Sequence, residues 1–262
     1  MSSRPLQLRR RSKPSLGARA RTYWIPAILA IAVAAGLGWA LAAAPMFRLS
    51  RIDVVGNGRV AGSDVIARAN LNPNENVWLA DVRGAERRIE AIPYVLSAHV
   101  HRRFPAAVRI SIVERVPEAC LRDANENQFT VDAELRVLAA GCSQAPDLAY
   151  VSRSVLSAKP GDFVTDQALV ALRRDAQALA APASAAREGS APGLRFTTFA
   201  FDAAGQLDAT LAGGVRERFG DDDGLAEKER LVMPILASLG PRAANVRAVD
   251  VRSPSTPVVE FR

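Results

Sequence analysis

The sequence has only two histidines, His99 and His101, and only two cysteines, Cys120 and Cys142. The histidines stand at alternate positions, so a strand would place both on one face. A His-x-His pair can hold a metal, but no cysteine cluster or acidic motif nearby completes a ligand set. An exposed strand face is the simpler reading. The chain has no P-loop pattern and no Gly-x-Ser-x-Gly elbow. It therefore lacks the phosphate cradle of a P-loop NTPase and the nucleophile turn of an α/β-hydrolase. Gly56-Asn57-Gly58 reads as a plain turn. Asp221-Asp222-Asp223 reads as an acidic loop that complements the next helix N-terminus rather than as a calcium site. We therefore expect no enzyme, no cofactor and no resident metal.

Acid is missing from the N-terminal tail. Arg4, Arg9, Arg10, Arg11, Lys13, Arg19 and Arg21 are unopposed there, and the whole chain carries a net +7. The tail accounts for all of it, and the remainder is neutral. A nucleic-acid binder needs a basic patch on a folded domain, and the balance argues against one. From Thr22 to Phe47 charge of either sign is missing. These 26 residues would extend about 39 Å as a helix, against a bilayer core of about 30 Å. A basic flank holds an N-terminus in the cytoplasm, with Tyr23 and Trp24 at one interface and Phe47 at the other. The Ala42-Ala43-Ala44 run offers a cleavage pattern, but the apolar stretch is well beyond a signal peptide's ~7–15 residues. We read a retained anchor, residues 23–47, after a cytoplasmic tail, residues 1–22. Ala32, Gly36, Ala40 and Ala44 form a small-residue stripe of the kind that lets helices approach; Ala-rich composition alone produces such a stripe.

About 215 residues follow, enough for one or two modest domains. Residues 48–55 alternate as a strand does, and Gly56-Asn57-Gly58 ends it. Ser63 and Asp64 offer caps for a short helix carrying Val65, Ile66 and Ala69. Asp81 is the expected N-cap of a second helix with Val82, Ala85, Ile89 and Ile92 on one stripe, stopped by Pro93. Val95 to Arg103 and Ala107 to Val113 read as two strands around Phe104-Pro105. This strand–helix–helix–strand–strand order, directly after a single apolar span, resembles a POTRA domain. Ile52-Asp53-Val54-Val55-Gly56-Asn57 looks like its opening strand and turn. His101-Arg102-Arg103-Phe104-Pro105 and Val108 to Pro117, with its Glu114-Arg115-Val116-Pro117 exit, resemble the closing hairpin of the FtsQ/DivIB cell-division proteins.

The remainder is similar to the β-rich second domain of that family. Strands are expected at Glu118–Arg122, Gln128–Asp132 and Arg136–Ala139, with another at Leu148–Ser152. Thr165 would cap a helix burying Leu169, Leu172, Ala176 and Leu179. Ala181 to Gly193 reads as a loop or insertion. Leu194–Phe201 and Gln206–Ala212 form a hairpin through Asp202-Ala203-Ala204-Gly205, and Val215–Phe219 is a short strand. Gly224–Leu239 is a helix in which Pro234 should introduce a kink. Asn245–Val251 and Val258–Arg262 close the chain. Phe219-Gly220, Glu227-Lys228 and Val249-Asp250-Val251-Arg252 match family segments. The expected fold is α+β: a transmembrane helix, a POTRA domain over residues 48–116, and a β domain over 117–262.

Cys120 and Cys142 fall on the first strand of a meander and just after the third. Two strand spacings put them about 9–10 Å apart, beyond the roughly 7 Å between Cα atoms that a disulfide tolerates. The reading disfavours a bridge and leaves open that Cys142 folds back.

The chain ends on an apolar strand, Val258, Val259 and Phe261, with nothing left to cover it. Such an edge is a template for another strand. The resemblance implies a cell-division scaffold of the inner membrane, its bulk extracytoplasmic and enriched at the septum. It implies docking of the FtsB–FtsL pair at this edge, through Ser253, Ser255, Val258, Val259 and above all Phe261. Lys228 and Arg230 are candidate electrostatic contacts. The alternative is a POTRA-bearing secretion or outer-membrane assembly component.

Overall fold

The computed structural model describes residues 16–187 and 195–262. Most of the basic tail, and the end of the Ala181–Gly193 stretch, lie outside the described residues.

Helix α1 runs from Leu16 to Ala43 and contains Pro26. Its side chains are described for Trp24 and residues 26–40. Among the described residues no helix is long and apolar enough to cross a membrane. A short 3-10 turn, Pro45–Phe47, leads out of α1.

The first globular unit follows the expected order. Strand β1 (Arg51–Val55) is followed by α2 (Gly62–Ala69), α3 (Val82–Glu90), β2 (Val95–Arg103) and β3 (Ala107–Glu114). The sheet order is β1-β3-β2, with β1 parallel and β2 antiparallel to β3. The apolar face of each helix closes over this sheet, and Val65, Ala69, Ala85, Ile89, Val95, Val108 and Ile110 form its core. Asp81 caps α3, its carboxylate accepting from Gly84 N–H at 2.9 Å. The cap expected of Ser63 and Asp64 is not made. Ala61 occupies the cap position of α2, one residue before the helix starts at Gly62, so both residues fall inside the first turn. Gly56 has φ +87, and a Cβ there would stand 2.1 Å from the Ile112 carbonyl oxygen. Only glycine lets the chain leave β1 that close to β3.

Glu114 ends β3 and holds the turn after β1 in place. Its carboxylate accepts from the N–H groups of Gly58, Arg59 and Val60 at 2.8–2.9 Å. Burial alone would raise its pKa, but these three donors outweigh burial and hold it below the ordinary carboxylate value. A depressed carboxylate stabilises above its unfolded pKa and loses that contribution as pH falls through its folded pKa. We expect Glu114→Gln to cost about 1.5–3 kcal/mol at pH 7, the range for hydrogen bonds to a charged acceptor. Urea unfolding at neutral pH and again near pH 3 checks this: the gap to wild type should close in acid.

The second unit is a nine-stranded sheet with helices α4 (Gln167–Arg187) and α5 (Leu225–Ser238) against it. The strands are β4 (Pro117–Arg122), β5 (Gln128–Asp132), β6 (Val137–Ala140), β7 (Ala149–Val151), β8 (Phe196–Phe201), β9 (Leu207–Leu211), β10 (Arg216–Gly220), β11 (Val246–Asp250) and β12 (Val258–Phe261). Their order is β12-β11-β10-β9-β8-β7-β4-β5-β6. Leu169, Leu172, Ala176 and Leu179 of α4 and Leu225, Val232 and Leu236 of α5 are buried with Leu121, Tyr150, Phe199, Phe219 and Val249 of the sheet. At the start of α4 it is Asp166, not Thr165, that accepts from Leu169 N–H. The helix backbone extends to Arg187, so part of the stretch read as loop is helical. Pro234 is exposed and lies within α5, which continues to Ser238.

Cys120 and Cys142 are bridged, with Cα atoms 5.4 Å apart. This corrects the expectation from strand spacing. The chain does not run straight on after β6. Gly141 takes φ +79 and turns back over β5, its N–H bonding to Gln128 and its carbonyl accepting from the Thr130 hydroxyl. Cys120 pairs with Thr130 on β5, so the returning chain passes above it.

Candidate functional site

The C-terminal strand is built from three local decisions. Phe219 is wholly buried, and Gly220 after it has φ +79. A Cβ on Gly220 would stand 2.9 Å from Arg252 Cγ, so glycine opens the space that Arg252 crosses. The Arg252 guanidinium then bonds Asp250 through Nε and a terminal nitrogen, at 2.6–3.0 Å, and reaches Gln206 at 3.1 Å. Those donors, against the opposing effect of burial, hold the Asp250 carboxyl below its usual range. The turn that follows is closed by Thr256 N–H to the Ser253 carbonyl and by hydroxyl contacts among Ser253, Ser255 and Thr256.

β12 then runs antiparallel to β11, pairing Val258 with Asp250, Val259 with Val249, Glu260 with Ala248 and Phe261 with Val246. It is the last strand of the sheet, and no strand lies beyond it among the described residues. Val259 packs against the helix-covered core. Glu260 points the other way and pairs with Arg218 at 2.6 Å. Arg262 N–H donates inward to the Asn245 carbonyl at 2.8 Å. Backbone polar groups alternate sides along a strand, so those of Glu260 also face β11 while those of Val259 and Phe261 face out. The outer edge thus offers two sets of donors and acceptors. Beside them stand exposed Val258 and Phe261, at 57 % and 47 %.

The structure brings together five of the expected residues: Ser253 and Ser255 on the turn, Val258, Val259 and Phe261 on the strand. Arg230 is exposed on α5. Lys228 is a correction. Its side chain is 4 % exposed and its ammonium bonds the carbonyl and carboxylate of Asp221, so it faces inward. The signal was present in the sequence. Lys228 stands three residues after Leu225 and four before Val232, on the buried stripe of the helix. The Arg218–Glu260 and Arg252–Asp250 pairs are not legible in the sequence, because their partners meet only across the sheet or the turn.

A shallow pocket of about 340 Å³ opens between the start of α4 and the β8–β9 turn, lined by Ser152, Arg153, Ser154, Leu172, Phe201 and Asp202. Its Ser152 and Ser154 hydroxyls bond each other at 3.1 Å, and Ser154 donates to Asp166. Both histidines are on β2 in the other unit. Among the described residues no group of three or more His, Cys, Asp or Glu could hold a metal.

Comparison with known proteins agrees with this architecture. Residues 47–115 match the family model described as a POTRA domain, FtsQ-type. Cell division protein FtsQ of Mycobacterium tuberculosis is 31% identical over 257 residues, covering 95% of this chain and 73% of that protein. FtsQ of Mycobacteroides abscessus is 28% identical over 233 residues, covering 89% and 68%. FtsQ of Syntrophotalea carbinolica is 34% identical over 94 residues, 36% of this chain and 33% of that protein. With a relative above 30% identity aligned along 95% of this chain and 73% of its own length, the chain belongs to the FtsQ/DivIB family of cell-division proteins.

Proposed function

We propose that this chain is a non-enzymatic, membrane-anchored scaffold of the bacterial division machinery that docks a strand of FtsB, in its pair with FtsL, on the outer edge of β12. The observation that carries the proposal is that edge: two outward sets of backbone hydrogen-bonding groups flanked by exposed Val258 and Phe261. An incoming strand satisfies the backbone groups, and the side chains beside them supply selectivity. Ser253 and Ser255 stand at the entrance, and Arg230 offers positive charge near an acidic partner.

Anchoring rests on the uncharged stretch from Thr22 to Phe47, which α1 largely covers, and on the seven unopposed basic residues before it. That orientation places residues 48–262 outside the cytoplasm, where the Cys120–Cys142 bridge is at home. The two separate cores support a boundary near residue 116 between the POTRA and β domains. Septal localisation follows from the division role.

The test is capture of the host FtsB–FtsL pair by the full chain and by a chain ending at Arg252. Affinity should fall at least about tenfold on truncation, roughly 1.4 kcal/mol. Equal capture by both would move the site elsewhere. Capture by neither would remove FtsB–FtsL as the partner.

A further inference from the structure

Three aromatic side chains gather where the chain leaves α1. Phe47 meets Phe104 edge to face with ring centroids 5.8 Å apart, and Phe104 meets Trp78 at 5.1 Å. Met46 and Leu79 adjoin two of these rings in sequence. Met46, Trp78, Leu79 and Phe104 are 64 %, 52 %, 66 % and 68 % exposed. Scattered surface apolar residues need no explanation, but three exposed or half-exposed rings in mutual contact, with apolar neighbours in sequence, do.

The cluster is held out rather than left loose. Phe47 accepts from Val77 N–H at 2.9 Å, which ties the exit of α1 to the loop before α3. Trp78 and Leu79 N–H groups bond Asn76 at 2.8 Å each. Arg102 on β2 donates to the carbonyls of Val77 and Ala80, both at 2.8 Å, bracketing Trp78 and Leu79. With the backbone so fixed, the side chains of this short loop are presented outward. Exposed Arg48 and Arg103 flank Phe47 and Phe104 in sequence.

The position of the cluster names what covers it. Met46 follows the end of α1 by three residues, and a 3-10 turn advances about 2 Å per residue. The headgroup layer on each side of a bilayer is about 5–7 Å deep. If α1 spans, Met46 and Phe47 stand within roughly one headgroup layer of the hydrocarbon, and Phe104 and Trp78 are in ring contact with Phe47. We propose that this aromatic platform seats the POTRA domain on the extracytoplasmic leaflet, its rings and Leu79 at the acyl boundary and Arg48 and Arg103 against anionic headgroups. The proposal rests on the anchor reading above. It adds that three residues remote from α1 in sequence, Trp78, Leu79 and Phe104, enter the interface. Interfacial tryptophan and cationic residues on an apolar surface favour that depth. The platform would fix the tilt of the domain and so the direction in which the β domain extends.

The chain has three tryptophans, Trp24, Trp39 and Trp78, which makes a direct test available. The full chain is placed in phosphatidylethanolamine–phosphatidylglycerol vesicles, with and without lipids brominated near the headgroup end of the acyl chains. The Trp24→Phe/Trp39→Phe variant reports Trp78, and Trp24→Phe/Trp78→Phe reports Trp39 in α1. Trp78 should lose emission to brominated lipid and resist an aqueous quencher. Loss at Trp39 with none at Trp78 would overturn the platform, keep the anchor, and leave the cluster to a protein partner. Loss at neither would overturn both. Loss at Trp78 alone would overturn the anchor, and with it the placement of the platform argued from α1.

Discussion

Replacing Arg115 with methionine is expected to destabilise the folded chain by about 3–5 kcal/mol, the cost of removing one partner from a buried ion pair. Arg115 follows the last POTRA strand and is 7 % exposed. Its guanidinium donates to Asp132 at 2.6 Å, to Glu134 at 2.9 Å and to the Val95 carbonyl at 3.3 Å. It therefore clamps β2 of the first unit to the β5–β6 turn of the second. Arg136 works alongside: it donates to the Glu90 carbonyl at 3.1 Å, and both guanidiniums lie over the Phe163 ring, at 5.1 and 5.5 Å. Burial disfavours the charge of Arg115, but the hydrogen bonds and charges of Glu134 and Asp132 more than offset it. Arg136 has burial and the charge of Arg115 against it, and its pKa is lowered.

Methionine would leave the Asp132 carboxylate buried without its main counter-charge. Asp132 keeps the N–H groups of Glu134 and Arg136, so the loss should fall toward the lower end of the range. Arg115→Lys keeps charge but cannot span three acceptors, and should sit between wild type and Arg115→Met. Urea unfolding followed by tryptophan fluorescence and far-ultraviolet circular dichroism tests the clamp. All described tryptophans precede residue 116, whereas circular dichroism reports both units. The two signals should coincide in wild type and separate in Arg115→Met, as independent domains do. Coincident transitions of unchanged midpoint would show that Arg115 does not couple the two cores.

The same arginine marks the limit of what the sequence makes legible. Glu114-Arg115-Val116-Pro117 stands out as an exit pattern, yet the task of each residue needs tertiary partners. Glu114 serves a turn more than fifty positions earlier, and Arg115 serves an acidic pair seventeen and nineteen positions later. Strands are legible because alternation is local: Val108, Ile110 and Ile112 are buried as their spacing demands. The parallel β7–β8 and β10–β11 pairings are not, because each joins strands separated by a helix. The Cys120–Cys142 bridge escapes strand arithmetic because one glycine redirects the chain after β6. At the candidate site the apolar alternation of β12 is readable, whereas the inward turn of Lys228 needed the α5 stripe to be carried through a charged residue.

On the proposed docking, Phe261→Asp should abolish binding at β12 while leaving the fold intact, and graded substitutions can show how the edge works. The ring is 47 % exposed, so charge at this position should cost the folded chain little. In a docked complex the ring would be an aromatic anchor, and truncating such anchors costs about 2 kcal/mol or more. Phe261→Ala should therefore weaken the proposed FtsB–FtsL binding by roughly thirtyfold. Phe261→Pro removes the ring and the outward N–H together. An edge strand tolerates proline where its N–H faces solvent, so the β11–β12 ladder should survive. If the partner adds as a strand, proline loses a backbone hydrogen bond beyond what alanine loses, about a further 0.5–1.5 kcal/mol. If the partner merely packs on the ring, alanine and proline should bind alike. Isothermal titration of each variant with the FtsB–FtsL pair, alongside thermal melts, separates these cases. Wild-type affinity for Phe261→Asp in a folded protein would take the site off this strand altogether.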